Sequence, residues 1–282
     1  MSSTPVVSDR HPGSAAVPVP PRYSLILASD AEHRQAAQRL RYQVFAGEPG
    51  YRIPDDGTGL DADRFDPHCD HLLVRDEQTD SFVGCYRMLS PDAARAAGGY
   101  YTATEFDISA LDPAGSRIVE MGRACVLAEH RSGSVLALMW AGILNYLDLT
   151  GYDWVMGCVS MPIRSEPAEA PGSQVRAVRD LLMARHASPP HRRVRPYRPV
   201  RVDGRSLDQL TPPPRPKVPS LLRGYLRLGA SICGEPAHDP AFGVADFVAL
   251  LGPADLNRRY LERLQAAAAA LVPGGSRPAA AR

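Results

Sequence analysis

The chain has 282 residues, of which 44% are apolar and 22% are charged, and its formal net charge at neutral pH is +1. These values are typical of a globular protein with a sizeable core, and they exclude a strong overall positive field that would attract nucleic acid. The five cysteines are widely spaced and contain no CxxC pair, so we expect reduced thiols in the cytoplasm, without a metal site or a disulfide framework.

The two ends of the chain predict disordered segments on either side of one folded unit. Residues 1–21 and 272–282 are rich in Pro, Gly, Ser or Ala without periodicity, so we expect a disordered leader and a disordered tail. Residues 22–271 show no break in composition and predict a single domain. The N-terminus lacks a signal-peptide pattern, and the longest apolar run, 135–144, is about half the roughly 20 residues that span a bilayer, so we expect no membrane span.

Strand-like and helical patterns alternate between these ends. A helix with Asp30 as its N-cap is followed by a hairpin, a strand, a loop, a helix and a further strand. This order predicts an α/β (α+β) domain with a central mixed β-sheet flanked by helices. The predicted strands cover 23–28, 71–75, 82–89, 118–127, 154–160, 194–202 and 242–251, and the later helices cover 135–149, 173–185, 221–228 and 253–271.

A strand, the loop EHRSGS and a helix occupy residues 118–146. The first N–H groups of a helix have no intrahelical partners and the helix dipole is positive there, so this unit predicts an anion site, to which Arg131 adds a charge. An ordinary strand-to-helix connection is the alternative. Because the loop is neither a P-loop nor a GxGxxG fingerprint, nucleotide cofactors of those kinds are unsupported.

Two further groups of charged residues are candidates for a substrate site. Glu120 and Arg123 lie on one predicted strand, where apolar neighbours raise the pKa of a carboxylate toward that of a general base; a structural ion pair is the alternative. Arg41 and Phe45 are one turn apart on a predicted helix. The segment that follows, 55–80, contains nine acidic residues against two arginines, and it predicts either a pocket for a cation or a solvated connection.

Several ordered runs together resemble one family. The chain is similar to the amino-acid N-acyltransferases of ornithine lipid synthesis, which are relatives of the acyl-homoserine lactone synthases on the acetyltransferase (GNAT) fold. The resemblance covers most of residues 23–265. Its matching runs are RYQVF at 41–45, FDPHCDHLLV at 65–74, VGCYRML at 83–89, YYTATEFD at 100–107, EMGRACV at 120–126, LMWAGI at 138–143, MGCVSM at 156–161 and the long segment 221–251.

The resemblance implies a GNAT-like acyl-CoA or acyl-carrier-protein-dependent N-acyltransferase. The expected reaction moves a (3-hydroxy)fatty acyl group from acyl carrier protein to the α-amine of an amino acid, namely ornithine, to give lyso-ornithine lipid. The expected co-substrate is an acyl-phosphopantetheine thioester on the carrier protein or on CoA, with no resident cofactor and no metal. The alternatives are a lactone-synthase-like enzyme that uses S-adenosylmethionine, and a non-catalytic domain that binds carrier protein or lipid.

The resemblance also implies roles for individual residues. Glu120 would be the general base or would position a water that is, and Arg123 would fix the substrate carboxylate or the acidic segment. A ping-pong route through Cys125, with His130 as its base, is conceivable, but a small core residue is the better interpretation of this cysteine. The remaining substrate-site residues are Arg41, Phe45, Asp66, Asp70 and Arg87. The residues expected at the phosphopantetheine and its thioester are Val126, Leu127, Arg131, Ser132, Gly133 and Ser134.

The segment 185–227 carries eleven basic residues against Asp203 and Asp208. We expect it to meet an acidic acyl carrier protein, anionic lipid at the inner face of the membrane, or both, because either partner complements its charge. Nucleic acid is not expected, since only Tyr197 and Tyr225 interleave with these charges and they are too few for a stacking platform. The protein is therefore expected in the cytoplasm, with peripheral membrane contact as a further possibility.

Overall fold

The computed structural model of the chain describes residues 22–269, apart from residues 29, 54–56, 116, 132 and 165–168. The predicted leader and tail and Ser132 lie outside the described residues. The helices are α1 (Ala31–Ala46), α2 (Pro91–Ala96), α3 (Asp112–Gly115), α4 (Ser134–Thr150), α5 (Ser173–Arg185), α6 (Ser220–Leu228) and α7 (Arg258–Ala269). The strands are β1 (Tyr23–Ala28), β2 (Asp70–Asp76), β3 (Ser81–Leu89), β4 (Phe106–Asp107), β5 (Ile118–Val126), β6 (Trp154–Pro162), β7 (Arg195–Pro196), β8 (Arg201–Val202), β9 (Arg205–Ser206), β10 (Ser231–Ile232), β11 (Ala237–Asp239) and β12 (Val244–Leu251).

A mixed sheet of eight strands forms the centre of the molecule. Its order is β1-β2-β3-β5-β6-β12-β10, and β11 also pairs with β12. Every pair in this sheet is antiparallel except β5–β6, which is parallel and which α4 connects. The predicted mixed sheet flanked by helices is thereby confirmed.

Local sequence signals account for the ends of the helices. The Asp30 side chain accepts a hydrogen bond from the backbone N–H of His33 at 2.9 Å and caps α1 as predicted. Helix α4 ends at Gly151, whose φ of 73° is the left-handed conformation that glycine adopts without strain.

The prediction of a single strand over residues 194–202 is wrong. The prolines of this segment interrupt backbone pairing, and only two short pieces of it, β7 and β8, pair in separate two-stranded sheets.

The alternation of side chains along the strands produces two apolar layers. Leu72 and Val74 pack into the large core that contains α4, whereas Leu73, between them, packs into the core beneath α1. Neighbouring residues of a strand point to opposite faces, so α1 and α4 cover opposite faces of the sheet. Among the described residues, no helix is both long and apolar enough to cross a membrane.

The parallel strands β5 and β6 separate partway along their length. They pair only from Ile118–Trp154 to Glu120–Met156, and β6 then continues alongside β12 instead. At the point of separation, a Cβ on Gly157 would collide with the carbonyl oxygen of Met121, so a glycine is needed there. The sheet therefore opens into a split whose first residue on β5 is Glu120.

A bulge in β5 lies inside this split. The register between β3 and β5 shifts between Cys85–Cys125 and Arg87–Gly122, and Arg123 lies within the shift with a φ of 52°. A non-glycine residue in this region costs on the order of 1–3 kcal/mol, and bulges are used to redirect side chains next to sites. The bulge is a local feature that places the Arg123 side chain beside the split.

Candidate active site

The split between β5 and β6 holds a cavity of about 560 Å³. Residues Gly122 to Val126 of β5 form one wall, and Cys158 and Ser160 of β6 form part of the other. Of the residues predicted for the site, the cavity is lined by Phe45, Arg87, Glu120, Arg123, Val126, Arg131 and Gly133. These residues come from α1, β3, β5 and the loop before α4, and the fold brings them together around one space.

Glu120 is a buried carboxylate at the closed end of the split, with 4% of its surface exposed. It accepts hydrogen bonds from the backbone N–H groups of Tyr101 at 2.6 Å and Thr102 at 2.7 Å, and from the Thr102 hydroxyl. Burial raises the pKa of Glu120 above its usual value, although the bonds from Thr102 and Tyr101 oppose the shift. A carboxylate with a raised pKa that faces a cavity has the properties of a general base.

The acidic segment is held by arginines from three elements of the fold. Arg41 is fully buried and pairs with Asp61 and Asp66, and Arg87 pairs with Asp63 and Asp66. Burial opposes the ionisation of Asp66, but the hydrogen bonds and charge of Arg41 and the charge of Arg87 hold the pKa of this carboxyl well below its usual range. The predicted solvated connection is therefore wrong for these aspartates, which form a buried ionic network.

Arg123 joins the network from the cavity side. Its Nε lies 3.1 Å from Asp61, an ion-pair distance without hydrogen-bond geometry, and its terminal nitrogen donates to Asp63 at 3.2 Å. The guanidinium also lies over the rings of Tyr101 and Phe242, 5.2 and 4.9 Å from their centroids. Of the two roles considered for Arg123, fixing the acidic segment is the one that matches these contacts.

Three predicted substrate residues lie away from the cavity surface. Asp66 is 1% exposed and lies beneath Arg41 and Arg87. Asp70, at the start of β2, accepts a hydrogen bond from the Tyr146 hydroxyl at 2.9 Å. Neither aspartate nor Arg41 is among the residues that line the cavity.

The other end of the cavity meets the loop before α4. Gly133, with a φ of 93°, precedes the first turn of α4, where the backbone N–H groups have no intrahelical partners. Arg131 lines the cavity, donates from Nε to the Val126 carbonyl at 2.9 Å and pairs with Glu48. This end therefore offers N–H groups, a helix dipole and a half-exposed guanidinium to an anion. Ser134 begins the helix but is not a lining residue.

The backbone N–H groups of Val126 and Leu127 point to opposite edges of β5. The Leu127 N–H donates to the Val83 carbonyl of β3 at 2.9 Å and is already used. Because successive residues of a strand direct their backbone groups to opposite edges, the Val126 N–H is directed to the split. Val126 also lines the cavity, whereas Leu127 does not.

Side chains that were not predicted complete the cavity. Tyr86, Leu136, Met139 and Leu221 form an apolar wall. At the acidic end, Asp239 and Asp246 face the cavity beside Ser160, and Glu105 lies against them. The sequence signal for Asp246 was its position inside the apolar strand 242–251, where a carboxylate is unusual.

Cys125 and His130 both line the cavity. A hydrogen bond with Cys85, followed by burial, raises the pKa of Cys125 well above its usual value, which disfavours the thiolate. The Nδ1 atom of His130 lies 3.0 Å from the Tyr23 hydroxyl, in a contact on the side of β1. The structure therefore shows no activated cysteine among the described residues of the cavity.

The chain is similar to known proteins over most of its length. Residues 40–141 match the model of the acetyltransferase (GNAT) domain family. The L-ornithine Nα-acyltransferase of Rhodobacter capsulatus is 32% identical over 262 residues, which are 88% of this chain and 96% of that protein. The protein of the same name from Rhizobium meliloti is 34% identical over 255 residues, 83% of this chain and 81% of that protein.

Solved structures of similar proteins were also found. FeeM, an N-acyl amino acid synthase from uncultured soil microbes, aligns with a TM-score of 0.47 at 13% identity and covers 87% of this chain and 94% of its own. The acyl-homoserine lactone synthase BjaI aligns with a TM-score of 0.45 at 15% identity and covers 88% and 90%. The two relatives are more than 30% identical to this chain over more than four fifths of its length, and the chain therefore belongs to the family of L-ornithine Nα-acyltransferases.

Proposed function

We propose that this enzyme transfers a fatty acyl group, such as a 3-hydroxyacyl group, from a thioester on acyl carrier protein to the α-amine of L-ornithine. The product would be lyso-ornithine lipid. The observation that carries the proposal is the split in the sheet, because one cavity connects the buried Glu120 carboxylate with the helix N-terminus at Gly133. The relatives named above support ornithine as the acceptor.

The length of the cavity suits a thioester that enters along β5. Glu120 pairs with Leu89 of β3 and Val126 with Gly84, so the bulged stretch between them spans five residues of β3, or about 17 Å at roughly 3.3 Å per residue. The phosphate of phosphopantetheine would bind at Gly133 and Arg131, and the thioester would extend from there toward Glu120. The acyl chain would lie against the apolar wall formed by Tyr86, Leu136, Met139 and Leu221.

The reaction in this arrangement is direct attack. Glu120, itself or through a water, would take a proton from the α-ammonium, and the free amine would attack the thioester carbonyl carbon. The Val126 N–H, at the far end of β5 from Glu120, would hold a polar group of the phosphopantetheine arm. Collapse of the tetrahedral intermediate would break the C–S bond, and the second proton of the attacking nitrogen would pass to the leaving sulfur, which gives the amide and the phosphopantetheine thiol. The raised pKa of the Cys125 thiol argues against an acyl-enzyme on this residue.

The basic segment 185–227 is the proposed contact for the carrier protein. Arginines 185, 193, 195, 198, 201, 205, 215, 223 and 227 in this segment are exposed. Arg223 follows Pro219, Ser220 and Leu221, which line the cavity, so positive charge lies next to the cavity wall. An acidic carrier protein would be steered to such a surface. Anionic lipid at the cytoplasmic membrane face would be attracted by the same charges, and we propose peripheral contact there for product release.

The proposal is tested with purified protein, 3-hydroxyacyl-carrier protein and a panel of amino acids, with products identified by mass spectrometry. We expect Nα-acyl-ornithine, and we expect Glu120→Gln to lower kcat by about 10²–10⁴-fold because it removes the base. The control is Asp148→Asn, which replaces an exposed carboxylate by an amide at the end of α4, outside the cavity. We expect this variant to retain the wild-type kcat.

Other products would favour the other functions. A homoserine lactone formed from S-adenosylmethionine would favour the lactone-synthase-like function. Binding of acyl-carrier protein without product from any amine would favour a non-catalytic binding domain. If Glu120→Gln kept the wild-type rate, Glu120 would not be the base.

A further inference from the structure

Three carboxylates from distant parts of the chain meet at the acidic end of the cavity. They belong to Glu105, Asp239 and Asp246, and an oxygen of each lies within 4.8 Å of the other two. All three residues are buried, and Asp239 and Asp246 line the cavity. We call Glu105, Asp239 and Asp246 the acidic trio.

The hydrogen bonds inside the described part of the chain leave one buried oxygen of the acidic trio without a partner. Asp239 Oδ1 accepts from the backbone N–H groups of Ala241 at 2.7 Å and Phe242 at 3.2 Å, and its Oδ2 accepts from the Tyr101 hydroxyl at 3.4 Å. Asp246 Oδ1 accepts from the Ser160 hydroxyl at 2.5 Å. Oε2 of Glu105, a side chain that is only 4% exposed, is buried and has no hydrogen-bond partner there.

The described part of the chain also gives the acidic trio no ion-pair partner. Among the described residues, no ion pair links any of its three carboxylates to an Arg, Lys or His side chain. Arg123, whose charge acts on Asp246, forms its ion pairs with Asp61 and Asp63 instead. Buried charges in proteins are normally paired, so this group is suited to a cation that arrives from the cavity.

We propose that the acidic trio binds the side-chain ammonium group of the amino-acid acceptor. The proposal rests on the proposed acyl transfer to ornithine and names the residues that would select a diamino acid. A primary ammonium carries three N–H donors, and the trio presents three acceptor groups around one space. Each donor would meet one carboxylate.

The position of the trio relative to Glu120 fits the length of such an acceptor. The Thr102 hydroxyl donates to Glu120 and lies 3.5 Å from Cys158 Sγ, which places Cys158 beside the base. Ser160, which donates to Asp246, is two residues further along β6, or about 7 Å at roughly 3.3 Å per residue. The two nitrogens of extended ornithine are five bonds of about 1.5 Å apart, or roughly 6 Å after allowance for bond angles.

The charge state of the trio supports the same ligand. Burial, followed by the charges of Asp246 and Asp239, raises the pKa of Glu105 to about 9, and burial raises the pKa of Asp246 to about 6. Without a cation, Glu105 holds a proton at neutral pH. An ammonium group with an ordinary pKa near 10.4 arrives charged and replaces that proton as the positive partner. An apolar side chain of the same length offers the trio neither a charge nor a hydrogen-bond donor.

The test compares L-ornithine with L-norvaline, which has the same carbon chain without the terminal amine. We expect wild-type enzyme to prefer ornithine, and we expect the ratio of the two kcat/KM values to fall at least about 30-fold in Asp246→Asn and in Glu105→Gln, because one partner of a buried charge pair is lost. Asp148→Asn, exposed on α4, is the control and should keep the ratio.

If the trio had only a structural role, the two variants would lower kcat/KM for both acceptors and leave the ratio of the two values unchanged. This outcome would overturn the proposal. So would a wild-type enzyme that uses norvaline as well as ornithine. The two isosteric variants guard against misfolding, because each replaces an ionisable carboxyl by an amide without changing size, and their melting temperatures are measured alongside.

Two further measurements distinguish ammonium binding from metal binding and from a failure of the reaction itself. Wild-type protein is treated with EDTA, analysed for metal and assayed again. Unchanged preference for ornithine supports ammonium binding, whereas loss of preference that a divalent metal restores would make the trio a metal site. Calorimetric titration with ornithine and norvaline needs no turnover. Suppose that no amine is acylated, but that ornithine binds and Asp246→Asn abolishes this binding. The proposed reaction is then wrong, while the proposed role of the trio stands. Equal binding of ornithine and norvaline would overturn the role of the trio.

Discussion

Arg41 and Asp66 form a bidentate ion pair inside the protein. The terminal nitrogens of the Arg41 guanidinium donate to the two carboxylate oxygens of Asp66 at 2.9 and 2.8 Å, and the two side chains are 0% and 1% exposed. The same guanidinium also reaches Asp61. This pair ties α1 to the acidic segment and, through Arg87, to β3, so the wall of the cavity depends on charges that never face it.

Loss of Arg41 should destabilise the protein strongly. Arg41→Met keeps the length of the side chain but leaves Asp61 and Asp66 with less positive charge, and removal of one partner of a buried pair costs about 3–5 kcal/mol. Arg39→Met is the matched control, because Arg39 is exposed on the same helix and bonds only to Gln35 among the described residues. Urea unfolding measures the free energy of unfolding of both. Equal stabilities would show that the buried network contributes little.

The sequence predicted the layers of the fold because their signals are local. The Asp30 cap, the alternating run from Leu72 to Val74 and the stop at Gly151 each depend on a few neighbouring residues. The strand prediction for 194–202 was wrong because apolar residues alternate there as in a strand, while prolines remove the N–H donors that strand pairing needs.

The site was predictable only in part for the same reason. Glu120, Arg131 and Gly133 stand out beside a strand or a helix start, and the fold places all three at the cavity. The acidic trio did not stand out, because Glu105 and Asp239 look like ordinary surface acids until the fold buries them together. Likewise, the acidic segment reads as a solvated loop until arginines from α1, β3 and β5 enclose it.

Stability should depend on pH through Glu105. Its pKa in the folded protein is about 9, above the ordinary 4.5, so its neutral form is favoured by folding and its contribution is lost as the pH rises through 9. Glu105→Gln cannot ionise. The free energy of unfolding of this variant, relative to wild type, should therefore increase between about pH 5 and pH 9.

The comparison requires a control because many groups titrate in this range. Glu129→Gln, at an exposed position, should show a constant difference from wild type across the same pH values. Thermal or urea unfolding at several pH values supplies both curves. A flat difference for Glu105→Gln would mean that burial beside Asp239 and Asp246 does not hold a proton on this side chain.

The loop before α4 can be tested through its glycine. Gly133→Ala places a Cβ at a φ of 93°, and Gly151→Ala does the same at a φ of 73° at the other end of the helix. Both substitutions should cost about 1–2 kcal/mol of stability, since L residues are strained there. Only Gly133→Ala should raise KM for the acyl-carrier protein, because its Cβ lies at the proposed phosphate site. Similar KM values in both variants would remove the loop from that site.

The basic segment should influence the donor and not the acceptor. Arg223 is exposed on α6, two residues after the cavity residue Leu221, so Arg223→Glu should raise KM for acyl-carrier protein several-fold and leave KM for ornithine unchanged. The wild-type KM for the donor should rise with salt, because screening weakens exposed charges, and the variant should be less sensitive to salt. The control is Arg258→Glu, which reverses an exposed charge on α7, outside the basic segment. If both reversals raised KM equally, net charge and not a docking surface would control the encounter.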